Sequence, residues 1–296
     1  LRAKDCASGC NLNRSPRRFK VECTVASVKR FGRKPQFNEL NINWTRPRSS
    51  VNLEAMKVSI IVPAFNEERL LAQSLAQINR ARAAFPGATC DSELIVCDNN
   101  STDRTAEIAR AAGANVVFEP VNQIGRARNR GATAATGDWL LFIDADSQPS
   151  AELFTEVAEH IHTGRYLAGG CVIRLDGNHR AARFLTRAWN WLSRYRRLLA
   201  GSFIFVETAA FRSLGGFNQE LFAGEELDLS KRLQSLAGKS GREIVILHQN
   251  PLLTSDRKVR LYSTWELLRF MCRAGLRPSR VMRDKAACYA WYDGRR

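Results

Sequence analysis

The stretches that would announce several common functions are missing from this sequence. No apolar run is long enough to span a bilayer, and the chain does not open with the hydrophobic core of a secretory signal. No G-x-G-x-x-G follows the first apolar strand and no G-x-x-x-x-G-K-[ST] occurs, which argues against a dinucleotide fold and a P-loop. The eight cysteines include no C-x-x-C pair. Cys6 and Cys10 form a lone C-x3-C without the second pair that a zinc site needs. Cys90, Cys97, Cys171, Cys272 and Cys288 read as small core residues, and a reducing, cytoplasmic setting is expected.

Acidic side chains are the minority, 29 against 45 Lys and Arg, and the imbalance is uneven. Residues 1–55 hold 12 basic and 4 acidic residues, a net of +8. Residues 56–173 hold 10 and 14, or −4, and residues 174–296 hold 23 and 11, or +12. A basic last third attracts phosphate-bearing partners, whether nucleic acid, anionic lipid or a pyrophosphate-linked acceptor. Residues 1–55 lack sustained periodicity and are rich in Arg, Asn and Ser, whereas Met56 is followed at once by a strand pattern. They are expected to be a disordered leader, with Met56 the natural start. A basic nucleic-acid-binding or targeting arm is the alternative.

What is present is an alternation of strand and helix. Val58–Val62 reads as a buried strand ended by Pro63, followed by a helix from about Glu67 with Leu70, Leu71, Leu75 and Ile78 at helical spacing. Glu93–Cys97 is a second strand, and Ser101 or Thr102 is expected to cap a helix from Asp103 to Ala112. Val116–Phe118 is a third strand. A helix over about Gln123–Ala135 then leads to Trp139–Ile143, five apolar residues in succession. This order predicts an α/β doubly wound, mostly parallel sheet with helices on both faces.

Three strand ends then carry polar residues toward one edge: Pro63-Ala-Phe-Asn-Glu67, Asp98-Asn-Asn-Ser-Thr-Asp103 and Asp144-Ala-Asp146. In open α/β sheets ligands bind outside the carboxyl ends of the strands. Two acids at such a tip are costly to leave unpaired, and a divalent cation carrying phosphate oxygens would neutralise both. A solvated Asp- and Ser-rich turn is the competing reading of that tip alone. Asn66, Glu67 and Asp98 could accept from a base or ribose, and Phe65 could pack on a ring.

With these pieces in order the chain resembles a family-2 glycosyltransferase of the GT-A fold. The resemblance rests on Val62-Pro-Ala-Phe-Asn-Glu-Glu68, Cys97-Asp-Asn-Asn-Ser-Thr-Asp103, Gly125-Arg-Ala-Arg-Asn-Arg-Gly131 and Gly137-Asp138 leading to Asp144-Ala-Asp146. Gly215-Gly-Phe217 and Gly224-Glu-Glu-Leu-Asp-Leu-Ser-Lys-Arg232 complete it, over about residues 56–250. It implies that the loop of Pro63, Phe65, Asn66 and Glu67, with Asp98, holds the base and ribose of a nucleoside-diphosphate sugar, UDP ahead of GDP. It implies Arg126 near the nucleotide, although Arg126, Arg128 and Arg130 also fit a solvated helix face. Asp144-Ala-Asp146 matches the family's D-x-D motif, with Asp146 the more direct ligand of Mg²⁺ or Mn²⁺ and Asp144 nearer the ribose. Asn99 stands where a second acid is usual.

In the acceptor half, a helix over about Ser150–His162 and a strand over Tyr166–Leu175 precede Arg183–Leu199, a basic, aromatic helix. That helix either lies at an anionic membrane surface, giving a protein peripheral to the inner face, or packs with its arginines solvated. Acids at the start of the helix opened by Gly224 could merely complement its dipole. The resemblance implies a base there, which falls on Glu226, with Glu225 the alternate. His248, after the expected strand Glu243–Leu247, could be a further metal ligand or a buried, hydrogen-bonded imidazole. Thr254–Lys258 could close over the donor, with Arg257 and Lys258 answering leaving-group charge.

The sequence also lacks the Q-x-x-R-W of processive polysaccharide synthases, so single transfers are expected. Helical stretches around Ser263–Ala274 and Ser279–Trp291 suggest a C-terminal extension over 251–296, after a domain with a nucleotide half (56–148) and an acceptor half (149–250). The expected activity is metal-dependent, inverting transfer to a glycan or glycolipid hydroxyl, with no nucleic acid involved. A sugar-phosphate nucleotidylyltransferase and a non-catalytic basic binding protein are the rivals.

Overall fold

The computed structural model describes residues 56–85, 90–177, 180–257 and 281–292, with the isolated positions 261, 266 and 269. The expected leader, most of the tail helices, Lys258 and Cys272 lie outside the described residues. The chain runs β1 (Met56–Ala64), α1 (Leu71–Arg82), β2 (Cys90–Asp98), α2 (Thr105–Ala111), β3 (Asn115–Phe118), α3 (Ile124–Ala134) and β4 (Trp139–Ile143). The chain continues with β5 (Ser147–Gln148), α4 (Ala151–His162), β6 (Tyr166–Leu175), α5 (Arg180–Arg196) and β7 (Phe203–Glu207). Then come α6 (Thr208–Ser213), α7 (Glu225–Ser240), β8 (Glu243–Thr254) and a last helical turn, Tyr289–Tyr292.

All eight strands among the described residues join one sheet in the order β3-β2-β1-β4-β7-β6-β8-β5. Pairs β1–β2, β1–β4, β2–β3 and β6–β8 are parallel, and only β7 and the short β5 run against the rest. Every side chain of β4 is buried, as a central strand covered on both faces requires. One face packs Leu71, Leu75 and Ile78 of α1 with Leu153, Phe154 and Val157 of α4. The other packs α3, α6 and α7 through Ala132, Phe211, Leu229 and Leu233. Each fully buried Leu, Ile or Phe contributes about 1.5–3 kcal/mol relative to exposure, so this double layer dominates the driving force.

Several boundaries differ from the sequence reading for identifiable reasons. The first helix starts at Leu71 because Glu67–Leu70 forms a turn, with Leu70 and Leu71 both donating to the Glu67 carbonyl. Ser101 and Thr102 do not cap α2: Ser101 Oγ accepts from Asn66 N at 3.0 Å and Thr102 N donates to Asn66 Oδ1 at 2.8 Å, tying two loops together. Ser150 does cap α4, accepting from Leu153 N at 3.2 Å. The apolar run Phe203–Glu207, not anticipated, is the antiparallel β7 beside β4. The last strand does not stop at Leu247 but runs to Thr254, with irregular register where Cys171 faces Leu247 and Ile173 faces Leu252.

The register decides where the site lies. Ala64 pairs with Asp98, Ile61 with Phe142 and Leu175 with Thr254, so the carboxyl ends of β1, β2, β4, β6 and β8 share one edge. Because β7 is antiparallel, its start, Phe203 opposite Ile143, reaches the same edge.

Candidate active site

Arg128 sits at the centre of this edge, although it reads in the sequence like one of three arginines on a solvated helix. Its Nη2 donates to Asp144 Oδ1 at 2.9 Å and to the Gly201 carbonyl at 2.8 Å, while Nη1 donates to Glu225 Oε1 at 2.8 Å. Its guanidinium carbon also lies 5.2 Å from the centroid of the Phe217 ring. The side chain is only 2% exposed and that of Glu225 only 4%. The solvated-face reading is therefore wrong for Arg128. A signal was present: Gly125, Ala127, Gly131 and Ala132 give α3 a small-residue face that packs close to the sheet, and Arg128 lies on it. Arg126 remains partly exposed and donates from Nε to Gln123 Oε1 at 3.0 Å. The structure thus brings Arg128, and not Arg126, to the acids.

Two glycines make this contact possible. A side chain at Gly201 would place its Cβ 2.9 Å from Arg128 Nη2. Gly224 has φ +74°, the left-handed conformation that turns the chain into α7 and places Glu225 and Glu226 in its first turn.

Asp144, Asp146, Glu225 and Glu226 line one cavity of about 360 Å³, with Trp189, Ser202 and Ser255 among its other walls. Glu225 is buried and held by Arg128, whereas Glu226 is half-buried. Burial, reinforced by the charge of Glu226 and opposed by Arg128, pushes the Glu225 carboxyl up to about 8. Burial acts to lower the Arg128 guanidinium, but Asp144, Glu225 and Glu226 outweigh it and the net shift is upward.

A second arginine closes the other side. Arg257 holds Glu67 in a two-pronged pair, Nη1 to Oε2 and Nη2 to Oε1 both at 2.8 Å, and its Nη2 lies 3.7 Å from Asp146 Oδ2. Glu67 is thus engaged by the strap after β8. The loop carrying Asp146 is tied to that strap as well, Ser255 N donating to the Asp146 carbonyl at 3.3 Å. Among the described residues, five carboxyl groups (Glu67, Asp144, Asp146, Glu225 and Glu226) therefore gather around two guanidinium groups. The hard oxygens of Asp144 and Asp146 fit Mg²⁺ or Mn²⁺. Among the described residues no group of three or more His, Cys, Asp or Glu side chains could make a complete protein cage.

The remaining predicted residues are placed as follows. Pro63 is buried at the end of β1, and Phe65 and Asn66 are half-buried on the loop after it, Asn66 at φ 51°. Asp98 is buried and accepts from Ser101 N at 3.0 Å. Asn99 is structural: Nδ2 donates to the carbonyls of Glu119 and Val121 at 3.2 and 2.6 Å, and Oδ1 accepts from Gln123 N at 2.9 Å. An acid there could not make the two donations. His248 is exposed in the middle of β8 and does not line the cavity. The structure does not bring it to Asp144 and Asp146, because the strand continues six residues further before reaching the site edge.

Residues 59–222, more than half of the chain, match glycosyl transferase family 2, and the chain belongs to that family. It is 33% identical over 178 residues to a PGL/p-HBAD biosynthesis glycosyltransferase of Mycobacterium tuberculosis, 56% of this chain and 65% of that protein. Other mycobacterial relatives are matched over 54% of their length, so the chain spans about half the length of the curated relatives it matches. The fold resembles a mannosyltransferase from Pyrobaculum calidifontis in complex with GDP-Man and Mn²⁺ (TM-score 0.57, 18% identity, 78% of this chain and 63% of that one). It also resembles glucosyl-3-phosphoglycerate synthase from M. tuberculosis in complex with UDP (TM-score 0.54, 22% identity, 83% and 86%). These likenesses give the chain the GT-A fold.

Proposed function

We propose that this protein transfers a sugar, with inversion, from a nucleoside-diphosphate sugar to a hydroxyl of a glycan or glycolipid acceptor, in a metal-dependent reaction. The observation that carries the proposal is the convergence of Asp144, Asp146 and Glu226 on one cavity, with Arg128 pinning Asp144 and Glu225 together. Inverting transfer needs one carboxylate to take the acceptor proton while opposite charge meets the departing diphosphate. Glu226, half-buried in the cavity wall, is the base. Glu225, held against Arg128, positions the start of α7 and is not the alternate base.

Asp146 and Asp144 would hold Mg²⁺ or Mn²⁺, which acts as a Lewis acid on the leaving group when bound. Pro63, Phe65, Asn66 and Asp98 form the base and ribose wall. Arg257 supplies fixed positive charge for the diphosphate from its position between Glu67 and Asp146. The relatives' names and the nucleotides bound in the GT-A neighbours, GDP-Man in one and UDP in another, support a nucleotide-sugar donor.

Incubation with a panel of nucleotide-sugars and Mn²⁺, with and without added pyrophosphate, following nucleoside diphosphate and nucleoside triphosphate separately, tests the reading. Release of nucleoside diphosphate with one donor is expected. Formation of nucleoside triphosphate from a nucleotide-sugar and added pyrophosphate would favour the nucleotidylyltransferase, and no turnover with any donor would leave a binding protein.

A further inference from the structure

We infer that the outward face of α5 is a docking surface for an anionic membrane. Five of the seven large apolar side chains exposed among the described residues lie on this one helix: Phe184, Leu185, Trp191, Leu192 and Tyr195. Phe184, Trp191 and Tyr195 are 71%, 68% and 69% exposed, and Trp191 and Tyr195 stack with ring planes 5° apart. A contiguous apolar face of this kind is costly to leave in water.

The helix is not loosely placed. Ala182 and Ser193 are buried on its inner side, and Asn190 grips β6 by accepting from Ile173 N at 3.1 Å and donating to the Ile173 carbonyl at 2.8 Å. At 100° per residue, Phe184, Ala188, Trp191, Leu192 and Tyr195 span an arc broadly opposite this anchored side. Arg180, Arg183, Arg187 and Arg194, all exposed, form a strip along one border of that arc. Arg196 stands at the other border.

An apolar arc flanked by guanidinium groups matches a bilayer interface, rings and Leu at acyl depth and arginines at phosphate depth. Charge complementarity commits the occupant to anionic lipid. No described helix is long and apolar enough to cross a membrane, so α5 would lie on the surface and not span it. Trp189 of the same helix lines the acid-rich cavity. If the transferase reading holds, docking through α5 would bring a lipid-borne acceptor beside Glu226; the docking itself does not depend on that reading.

The test is co-sedimentation of the full chain with vesicles of phosphatidylcholine alone or with about 30% phosphatidylglycerol, at low and high salt. Binding to the anionic vesicles at low salt is expected, with a blue shift of tryptophan emission. The pair Phe184→Ser and Trp191→Ser should weaken it by about ten-fold or more. Arg183→Gln, Arg187→Gln and Arg194→Gln should each weaken it by about five-fold and flatten the salt dependence. Melting temperature and donor hydrolysis without vesicles should not change, showing that the variants fold. Failure of the native chain to bind anionic vesicles at low salt would overturn the inference. So would equal binding to neutral vesicles. A dimer dissolved by Trp191→Ser, without vesicle binding, would assign the face to a second copy and overturn it too. Because binding is read without donor or acceptor, its failure leaves the transferase reading standing, and an inactive chain that binds vesicles leaves this one standing.

Discussion

Arg128 and Glu225 lie 97 residues apart in sequence and meet at 2.8 Å, both almost wholly buried. The same guanidinium reaches Asp144 at the tip of β4, so one side chain couples the two halves of the site.

Removing that guanidinium should therefore be severe. Arg128→Ala leaves the buried Glu225 carboxyl and Asp144 without their charged donor, and breaking a buried pair costs about 3–5 kcal/mol. Denaturant unfolding should show that loss. A cycle with Glu225→Gln should give less than the sum of the single changes, because both changes remove the same contact.

The raised carboxyl of Glu225 predicts a pH dependence of stability. Its folded value, about 8, lies above the ordinary 4.5. Its contribution is thus fully present below 4.5 and is lost as pH rises through about 8. Glu225→Gln keeps an acceptor for Arg128 and removes the titration. Melting temperatures taken with chelator from pH 5 to 9 should show the native chain losing ground to this variant as pH rises. Parallel curves would contradict the assignment.

Glu226→Gln should lower kcat by about 10²–10⁴-fold with little change in donor affinity, if Glu226 takes the acceptor proton. Glu226→Asp should restore part of the rate. Equal losses in binding and turnover would assign Glu226 to donor binding.

Arg257→Ala should lower turnover more than metal affinity, by about 10²-fold, the scale of a lost transition-state charge donor. Mn²⁺ titration and steady-state rates on the same variant check this. An unchanged rate would remove Arg257 from the chemistry.

Asn99→Asp tests the departure from the family's usual acid. It deletes two donations, to the carbonyls of half-buried Glu119 and exposed Val121, each worth about 0.5–1.5 kcal/mol. A lowered melting temperature with unaltered nucleotide preference is expected.

The strands and helices of residues 56–175 were largely legible because apolar runs and helical spacing are local signals. Trp139–Ile143 and Tyr166–Leu175 were read with their observed bounds. The convergence of Asp98, Asp144 and Asp146 on one edge followed from strand order alone. Phe203–Glu207 is not legible because a short apolar run between helices carries no mark of its direction. His248 was misplaced because nothing local shows that β8 continues past an irregular stretch.

By itself the sequence determined the alternating α/β order and the acidic strand tips, since periodicity and strand-end chemistry are written in consecutive residues. Only the tertiary structure decided which arginine is buried among those acids and which strap meets Glu67. Contacts such as Arg128 with Glu225, or Glu67 with Arg257 190 residues away, exist only once sheet register has brought distant segments to the same edge.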